Sequence, residues 1–545
     1  MSKIKIFGMG GLDENGKNTY IVEVDNKIFI FDAGLKYASD SNFGIDYIIP
    51  DYKYLVDNRK RIVGVFVTHA HPESYGGVSD LIKNIPEIKV YALKYTINQL
   101  MLDGVSEKNL HVLMPHKKMS FTKELSVFPI TVNHSVPDSC MYVLNTPDGA
   151  IVYTGDFIID PSMMKTYHMD LGKIAYVGKQ GVLALLGESS FAENIGHTSP
   201  NHHLSSFFKK LIAKTDGRII FSVLPVHLYT IEGIFNAAKN SNRKVVVMGK
   251  KLQNIINMAI KENYINIEDG QIGDLSNVND HNSILLISDD RSNAYNMFER
   301  IIAGNDKFIK LNEHDTVCFA EPKYDENEKA FVKVENELAI KGINTVSIPK
   351  DKGISLHASS EDIMIMLDLL KPKYYMPVKG EYRYMVRNAD LATNLGYNNN
   401  NIILKQNGDI INIIAKELVD KMEHINIDDT LIDGNSIEDI GDLVLKDREV
   451  LSENGIVLVS ATLSKKDKKI LVGPEITTRG FIYVKDSKEM IDEIKRISSE
   501  VIENNTTDKY IDFNNIKNDI RERLGKYFYV ETECKPMIIA VIQEI

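Results

Sequence analysis

Residues Val67-Thr68-His69-Ala70-His71-Pro72-Glu73-Ser74-Tyr75-Gly76-Gly77 close an apolar run with two histidines one residue apart. A loop at the end of a strand can aim both imidazoles at one metal ion. Taken alone, the pattern reads equally well as a turn carrying two solvated histidines. Two further segments shift that balance. Asn133-His134-Ser135-Val136-Pro137-Asp138-Ser139 and Tyr153-Thr154-Gly155-Asp156-Phe157 each set one ligand-type side chain beside a strand. Their order and spacing suit a hydrolase metal centre, which makes His69, His71, His134 and Asp156 its candidate ligands.

The elements that must position these residues read as short β-branched runs closed by turn residues. Tyr20–Val24, Ile28–Asp32, Val63–Val67 and Ile151–Thr154 are examples, alternating with amphipathic stretches such as Gly77–Ile85. That alternation predicts sheets covered by helices. From about Ser205 the periods lengthen: helices are expected over Phe207–Ala213 and Ile231–Lys239, and strands over Arg218–Ser222 and Lys244–Met248. These form a parallel sheet inserted as its own unit, because Tyr374–Val378 returns to the opening style. Strands near Ile456–Val459 and Met537–Val541 flank a helix over Lys488–Asn504, an α+β ending. The lysine cluster Lys465–Lys469 reads as a hairpin turn rather than an RNA patch.

Composition narrows the function classes. The chain has 545 residues, 43% of them apolar, enough for about three or four domains. Its three cysteines, Cys140, Cys318 and Cys534, form no C-x-x-C pair, so a disulfide framework and a thiolate zinc site are excluded and a cytoplasmic location is expected. No run approaches the roughly 18 apolar residues of a membrane span. A formal charge of −11 argues against non-specific coating of nucleic acid, while a local basic channel would still accept RNA.

The metal motifs, together with Gly10–Asn18, Phe31–Leu35, Gly44–Asp51, Met376–Arg383, Gly473–Phe481 and Lys535–Ile538, resemble the metallo-β-lactamase superfamily and, within it, the β-CASP ribonucleases of the ribonuclease J family. The resemblance implies an α/β protein. An αββα sandwich over 1–204 and 361–430 would be interrupted by a β-CASP domain over 205–360 and followed by a linker at 431–450 and a small α+β domain over 451–545. It implies RNA hydrolysis with two zinc ions, one able to activate water while both stabilise charge on the phosphate.

His69, His71, His134 and Asp156 match the first zinc site. The second site is eroded. Glu73 stands for an aspartate, Ser74 for a histidine, and Lys379 for the late histidine of a P-V-H-G-E motif. A protonated lysine has no lone pair for a metal, and a serine hydroxyl is a poor zinc ligand. At most one zinc is therefore expected. Two readings of Lys379 stay open: an ammonium in the place of the second zinc, paired with Asp156 or Glu73, or a side chain pointing to solvent.

The phosphate-binding parts show similar changes. Gly353, Ile354, Ser355, Leu356 and His357 occupy the substrate-binding segment, with Leu356 in place of a glycine. His357 and Glu73 are the candidate catalytic residues. Asp289–Ala294 replaces a glycine-rich segment, Val226-His227 a Ser-Asn pair, and Glu188 an aspartate. The set implies a weak or inactive partner subunit, in a homo- or hetero-oligomer with an active ribonuclease J paralogue, in RNA processing. The alternative is a low-activity zinc ribonuclease.

Overall fold

The computed structural model describes residues 2–38, 44–163, 165–239, 241–288, 295–321, 328–349, 352, 355–434, 442–481, 488–506 and 511–545. The chain divides into two compact units: Met1–Tyr37 with Ile48–Thr430, and Ala38–Tyr47 with Leu431–Ile545.

Two sheets face each other in the larger unit. One has eight strands in the order Glu417–His424, Asp409–Ile414, Lys3–Gly10, Thr19–Val24, Lys27–Phe31, Ile62–Phe66, Val90–Ala92 and Leu110–Val112. The other has six: Tyr374–Val378, Val182–Glu188, Gly149–Tyr153, Cys140–Thr146, Ser126–Thr131 and Met119–Ser120. Successive side chains of a strand point to opposite faces, and here both faces are covered. From Cys140–Thr146, Tyr142 and Leu144 enter the layer between the sheets beside Tyr20, Phe31 and Phe66. Met141 and Val143 point outward instead, against Ile174 and Val177 of one helix and Ile363 and Met366 of another. The layers therefore run helix, sheet, sheet, helix, as expected.

The insertion is visible in the pairing. Val182–Glu188 and Tyr374–Val378 are adjacent parallel strands, although the whole inserted domain separates them in sequence. That domain carries a five-stranded parallel sheet in the order Val245–Val247, Ile284–Ile287, Ile219–Ser222, Thr316–Phe319 and Asn344–Ser347. The third and fourth strands of this order are anchored where they begin. Arg218 donates from Nε to Asp315 Oδ1 at 2.9 Å and from Nη2 to Oδ2 at 2.5 Å, both groups being buried. Removing one partner of such a pair costs about 3–5 kcal/mol, because the other charge is left buried alone.

In the smaller unit, Ile456–Leu463 and Ile470–Arg479 form an antiparallel hairpin whose connection holds the lysine cluster, as expected. Met537–Glu544 pairs parallel to the first strand. Val457, Val459, Ala461 and Leu463 alternate inward against Ile494 and Val501 of helix Lys488–Asn504 and against Ile520 and Leu524 of helix Phe513–Thr532. The helix Asp442–Asn454 begins within the stretch expected to be linker.

Candidate metal centre

His69 and His71 leave the end of strand Ile62–Phe66, and Pro72 then opens a short helix at a position where its missing N–H costs nothing. The loop is held from below by Asp32, whose Oδ1 accepts from the Thr68 N–H at 2.7 Å and whose Oδ2 accepts from the Tyr153 hydroxyl at 2.8 Å. Gly34 lets the chain pass close by: a Cβ there would lie 1.7 Å from the carbonyl oxygen of Glu73.

The outer hydrogen bonds of the three histidines assign their tautomers. The Thr68 hydroxyl donates to Asp32, at 3.0 Å from either carboxylate oxygen, so it accepts from His69 Nδ1–H at 2.8 Å. A carbonyl can only accept. His71 Nε2–H therefore donates to the Val226 carbonyl at 3.1 Å, and His134 Nδ1–H to the Leu356 carbonyl at 2.8 Å.

The remaining nitrogens, His69 Nε2, His71 Nδ1 and His134 Nε2, carry lone pairs and converge with Asp156 within 4.8 Å. His134 Nε2 lies 3.2 Å from His71 Nδ1, and His69 Nε2 lies 3.4 Å from Asp156 Oδ2. All four residues are buried, and among the described residues His69 Nε2 and Asp156 Oδ1 have no hydrogen-bond partner. Burial pushes His69 down to about 4 and His134 well below its ordinary value, so neither is protonated at neutral pH. Facing lone pairs repel unless a cation stands among them, so this donor set fits one zinc ion.

The other half of the centre is built differently. Lys379 follows strand Tyr374–Val378 in a left-handed conformation, φ 63°, with its N–H on the Gly11 carbonyl at 2.9 Å. Its side chain is 2% exposed, and its ammonium donates to Asp156 Oδ2. The solvent-pointing alternative for Lys379 is thereby excluded. Burial disfavours its charge, but Asp156, Glu73 and Glu188 outweigh that and raise its pKa. Burial also opposes ionisation of Asp156, yet Lys379 and His357 hold that carboxyl well below its usual range. Glu73 Oε1 lies 3.3 Å from His71 Nδ1, and against the opposing effect of burial the Lys379 ammonium favours its ionised form. The Ser74 hydroxyl is buried without a partner among the described residues.

His357 Nδ1–H donates to Glu188 Oε2 at 2.9 Å and sits 3.6 Å from Asp156 Oδ2. Glu188 is itself fixed by the N–H groups of Phe157 at 2.7 Å and Ala358 at 3.2 Å. Burial works against the imidazolium, while Asp156 and Glu188 raise the His357 pKa. Leu356 turns inward against Ile158, Met163 and Tyr167, and it is its carbonyl that reaches the centre. Ser355 is half-buried, while Gly353, Ile354 and Asp289–Ala294 lie outside the described residues. His227 stacks on His71 with ring centroids 5.6 Å apart, and burial pushes it down to about 3.

Sequence reasoning missed the roles of Thr68 and of the Val226 and Leu356 carbonyls. Thr68 stood beside His69 and was legible in principle; a backbone carbonyl carries no signal in sequence.

Comparisons with known proteins agree with this architecture. Residues 12–175 match the metallo-beta-lactamase superfamily, and 216–338 match the "Ribonuclease J, beta-CASP domain". Residues 350–403 match the "Zn-dependent metallo-hydrolase RNA specificity domain", and 443–545 the "Ribonuclease J C-terminal domain". A Streptococcus pyogenes protein named Ribonuclease J 2 is 32% identical over 555 residues, 100% of each chain. Proteins of the same name from Staphylococcus epidermidis and Staphylococcus aureus are each 32% identical, over 99% of this chain and 98% of theirs. A crystal structure of a protein of unknown function from Enterococcus faecalis shares the fold, with TM-score 0.52 and 16% identity over 75% of this chain and 100% of that one.

Fold and site together define a metallo-β-lactamase protein of the zinc-dependent hydrolase type with a β-CASP insertion. Within that class, the chain belongs to the ribonuclease J family. No helix among the described residues is long and apolar enough to cross a membrane.

Proposed function

We propose that this chain is a ribonuclease J family subunit in RNA processing and turnover whose own nuclease centre is weak or silent, and which acts in the cytoplasm by assembling with an active ribonuclease J. The observation that carries this reading is the buried Lys379 ammonium on Asp156. In a two-metal hydrolase a carboxylate in that place is a metal ligand. Here a fixed single charge neutralises it, and an ammonium supplies neither Lewis acidity nor a metal-activated hydroxide. The C-terminal sheet supports the partner role. Its face opposite the buried Val457 and Val459 exposes Ile539 at 36%, Val541 at 38% and Val472 at 61%, apolar area suited to contact with another chain.

The convergent lone pairs favour a second reading, a slow one-zinc ribonuclease. His69, His71, His134 and Asp156 would hold the ion, which supplies Lewis acidity towards a phosphate oxygen. Glu73, ionised beside His71, would accept a proton from the attacking water. His357, kept protonated by Glu188, would donate a hydrogen bond to phosphate.

Decay of a 5′-monophosphorylated RNA, assayed with and without an active ribonuclease J, separates the readings. The subunit reading expects no decay by the purified chain and co-elution of the two proteins in size exclusion at micromolar concentration. Decay that Asp156→Ala abolishes would establish the enzyme, and separate elution would overturn the subunit.

A further inference from the structure

A second cluster of metal-type side chains lies on the same loop as Asp156. Four residues after it, Asp160 is 3% exposed, and its N–H donates to the side-chain oxygen of Asn133 at 2.9 Å. Its two oxygens have different surroundings. Oδ1 is taken by the Ser162 N–H at 2.8 Å and the Ser162 hydroxyl at 2.7 Å. Oδ2 is left for two imidazoles, His202 Nε2 at 3.0 Å and His203 Nε2 at 2.6 Å.

The two histidines are consecutive in the turn that leads into helix Ser205–Lys214, and their ring centroids are 4.3 Å apart. Three donor atoms of Asp160, His202 and His203 lie within 4.8 Å of one another. His203, 37% exposed in its side chain, leaves one side of the cluster open to water.

His202 supplies the independent sign of a ligand. Its side chain is fully buried, yet among the described residues neither ring nitrogen has a partner in hydrogen-bonding geometry, although Asp160 Oδ2 is close. A buried imidazole normally satisfies both nitrogens, and leaving a buried polar group orphaned is costly. Burial and the neighbouring His203 push its pKa down to about 4 against the opposing pull of Asp160 and the Thr198 backbone, so its lone pair is free at neutral pH. Burial alone would raise the Asp160 pKa, but hydrogen bonds from His203 and Ser162 bring it to about 2.

We propose that Asp160, His202 and His203 form a second, separate divalent-metal site of the zinc type, with two imidazoles, one carboxylate and water completing the coordination. Oxygen and imidazole donors in this number suit a four-coordinate zinc that keeps one open position. Such an ion ties the 156–160 loop of the sandwich to the segment entering the inserted domain. The proposal does not rest on the reading of the Lys379 centre, because the two donor sets share no residue.

Zinc and cobalt(II) are the probes. The chain is stripped with chelator, dialysed against zinc and analysed for bound metal, as wild type and as His69→Asn/His134→Asn, His202→Gln/His203→Gln and Asp160→Asn variants. The expected result is one zinc retained when His69 and His134 are replaced. Replacing His202 and His203, or Asp160, should lower the affinity of that retained ion at least about a hundredfold. Cobalt(II) in the His69→Asn/His134→Asn protein should give a visible d–d absorption band that disappears when the His202 and His203 substitutions are added. Near-UV circular dichroism identifies any variant that has not folded, and Asp160→Asn, which preserves shape, then gives the answer. Metal uptake unchanged by either set, or a His69→Asn/His134→Asn protein that binds no metal, overturns the site.

Discussion

The two halves of the buried centre make opposite use of the same surroundings. On the histidine side, three imidazoles send their outer N–H groups to fixed acceptors and turn their lone pairs inward. On the lysine side, a cation of the chain itself lies among Asp156, Glu73 and Glu188. One half lacks a positive charge and the other contains one. A buried carboxylate that stays ionised needs a counter-charge, and at position 379 the chain supplies it. A neutral replacement would have left Asp156 and its neighbours uncompensated.

Lys379→Met should show the largest effect, because it keeps the side-chain stem and deletes the charge. A loss of about 3–5 kcal/mol is expected, read as a lowered melting temperature. An unchanged melting temperature would mean that the ammonium is replaceable by solvent and would break the contrast between the halves. The converse exchange, Lys379→His with Ser74→His, should raise zinc content above that of wild type in elemental analysis. On the histidine side, Thr68→Val removes the acceptor of His69 and should weaken zinc binding by about 10–100-fold in competitive titration.

The smallest effect is a pH dependence that contrasts a carboxylate with a cation and one without. Glu321, buried with the Ser222 hydroxyl at 2.7 Å and Tyr295 on it among the described residues, is pushed by burial up to about 7. A carboxyl whose folded-state pKa lies above its unfolded value contributes stability that is present below about pH 4 and is lost as pH rises to about 7. Glu321→Gln should therefore flatten the fall in melting temperature between pH 4.5 and 7.5. Asp156, held low by Lys379, has the reverse sign: its contribution is present above about pH 4 and is lost in acid.

The legible parts of the molecule were those with local signals. The His69–His71 pair, strand Tyr374–Val378, helix Lys488–Asn504 and the lysine-rich hairpin all follow from neighbouring residues. Helix Phe513–Thr532 was not foreseen: its buried Ile516, Ile520, Leu524 and Phe528 recur only every fourth residue along a charged segment. Strand Ile470–Arg479 was not among the expected strands: Gly473 and Pro474 interrupt its run of strand-forming side chains. The direction of Lys379 could not be read, because a lysine next to a strand is as compatible with water as with a buried carboxylate. The Val226 and Leu356 carbonyls join their histidines from 155 and 222 residues away, separations at which no periodicity helps. The adjacent His202 and His203 were readable as a pair, but Asp160 joins them only through the fold.

The interrupted sandwich also sets an order of arrival. Strand Val182–Glu188 and its partner Tyr374–Val378 are separated by the whole inserted domain, and translation at about 5–20 residues per second puts roughly ten to forty seconds between them. During that interval Asp156 and Glu188 have left the ribosome while Lys379 has not yet been made. The nascent sandwich must wait with an open edge and an uncompensated cluster of acid, a window in which a chaperone, a free metal ion or a premature partner can reach the centre before its own cation seals it.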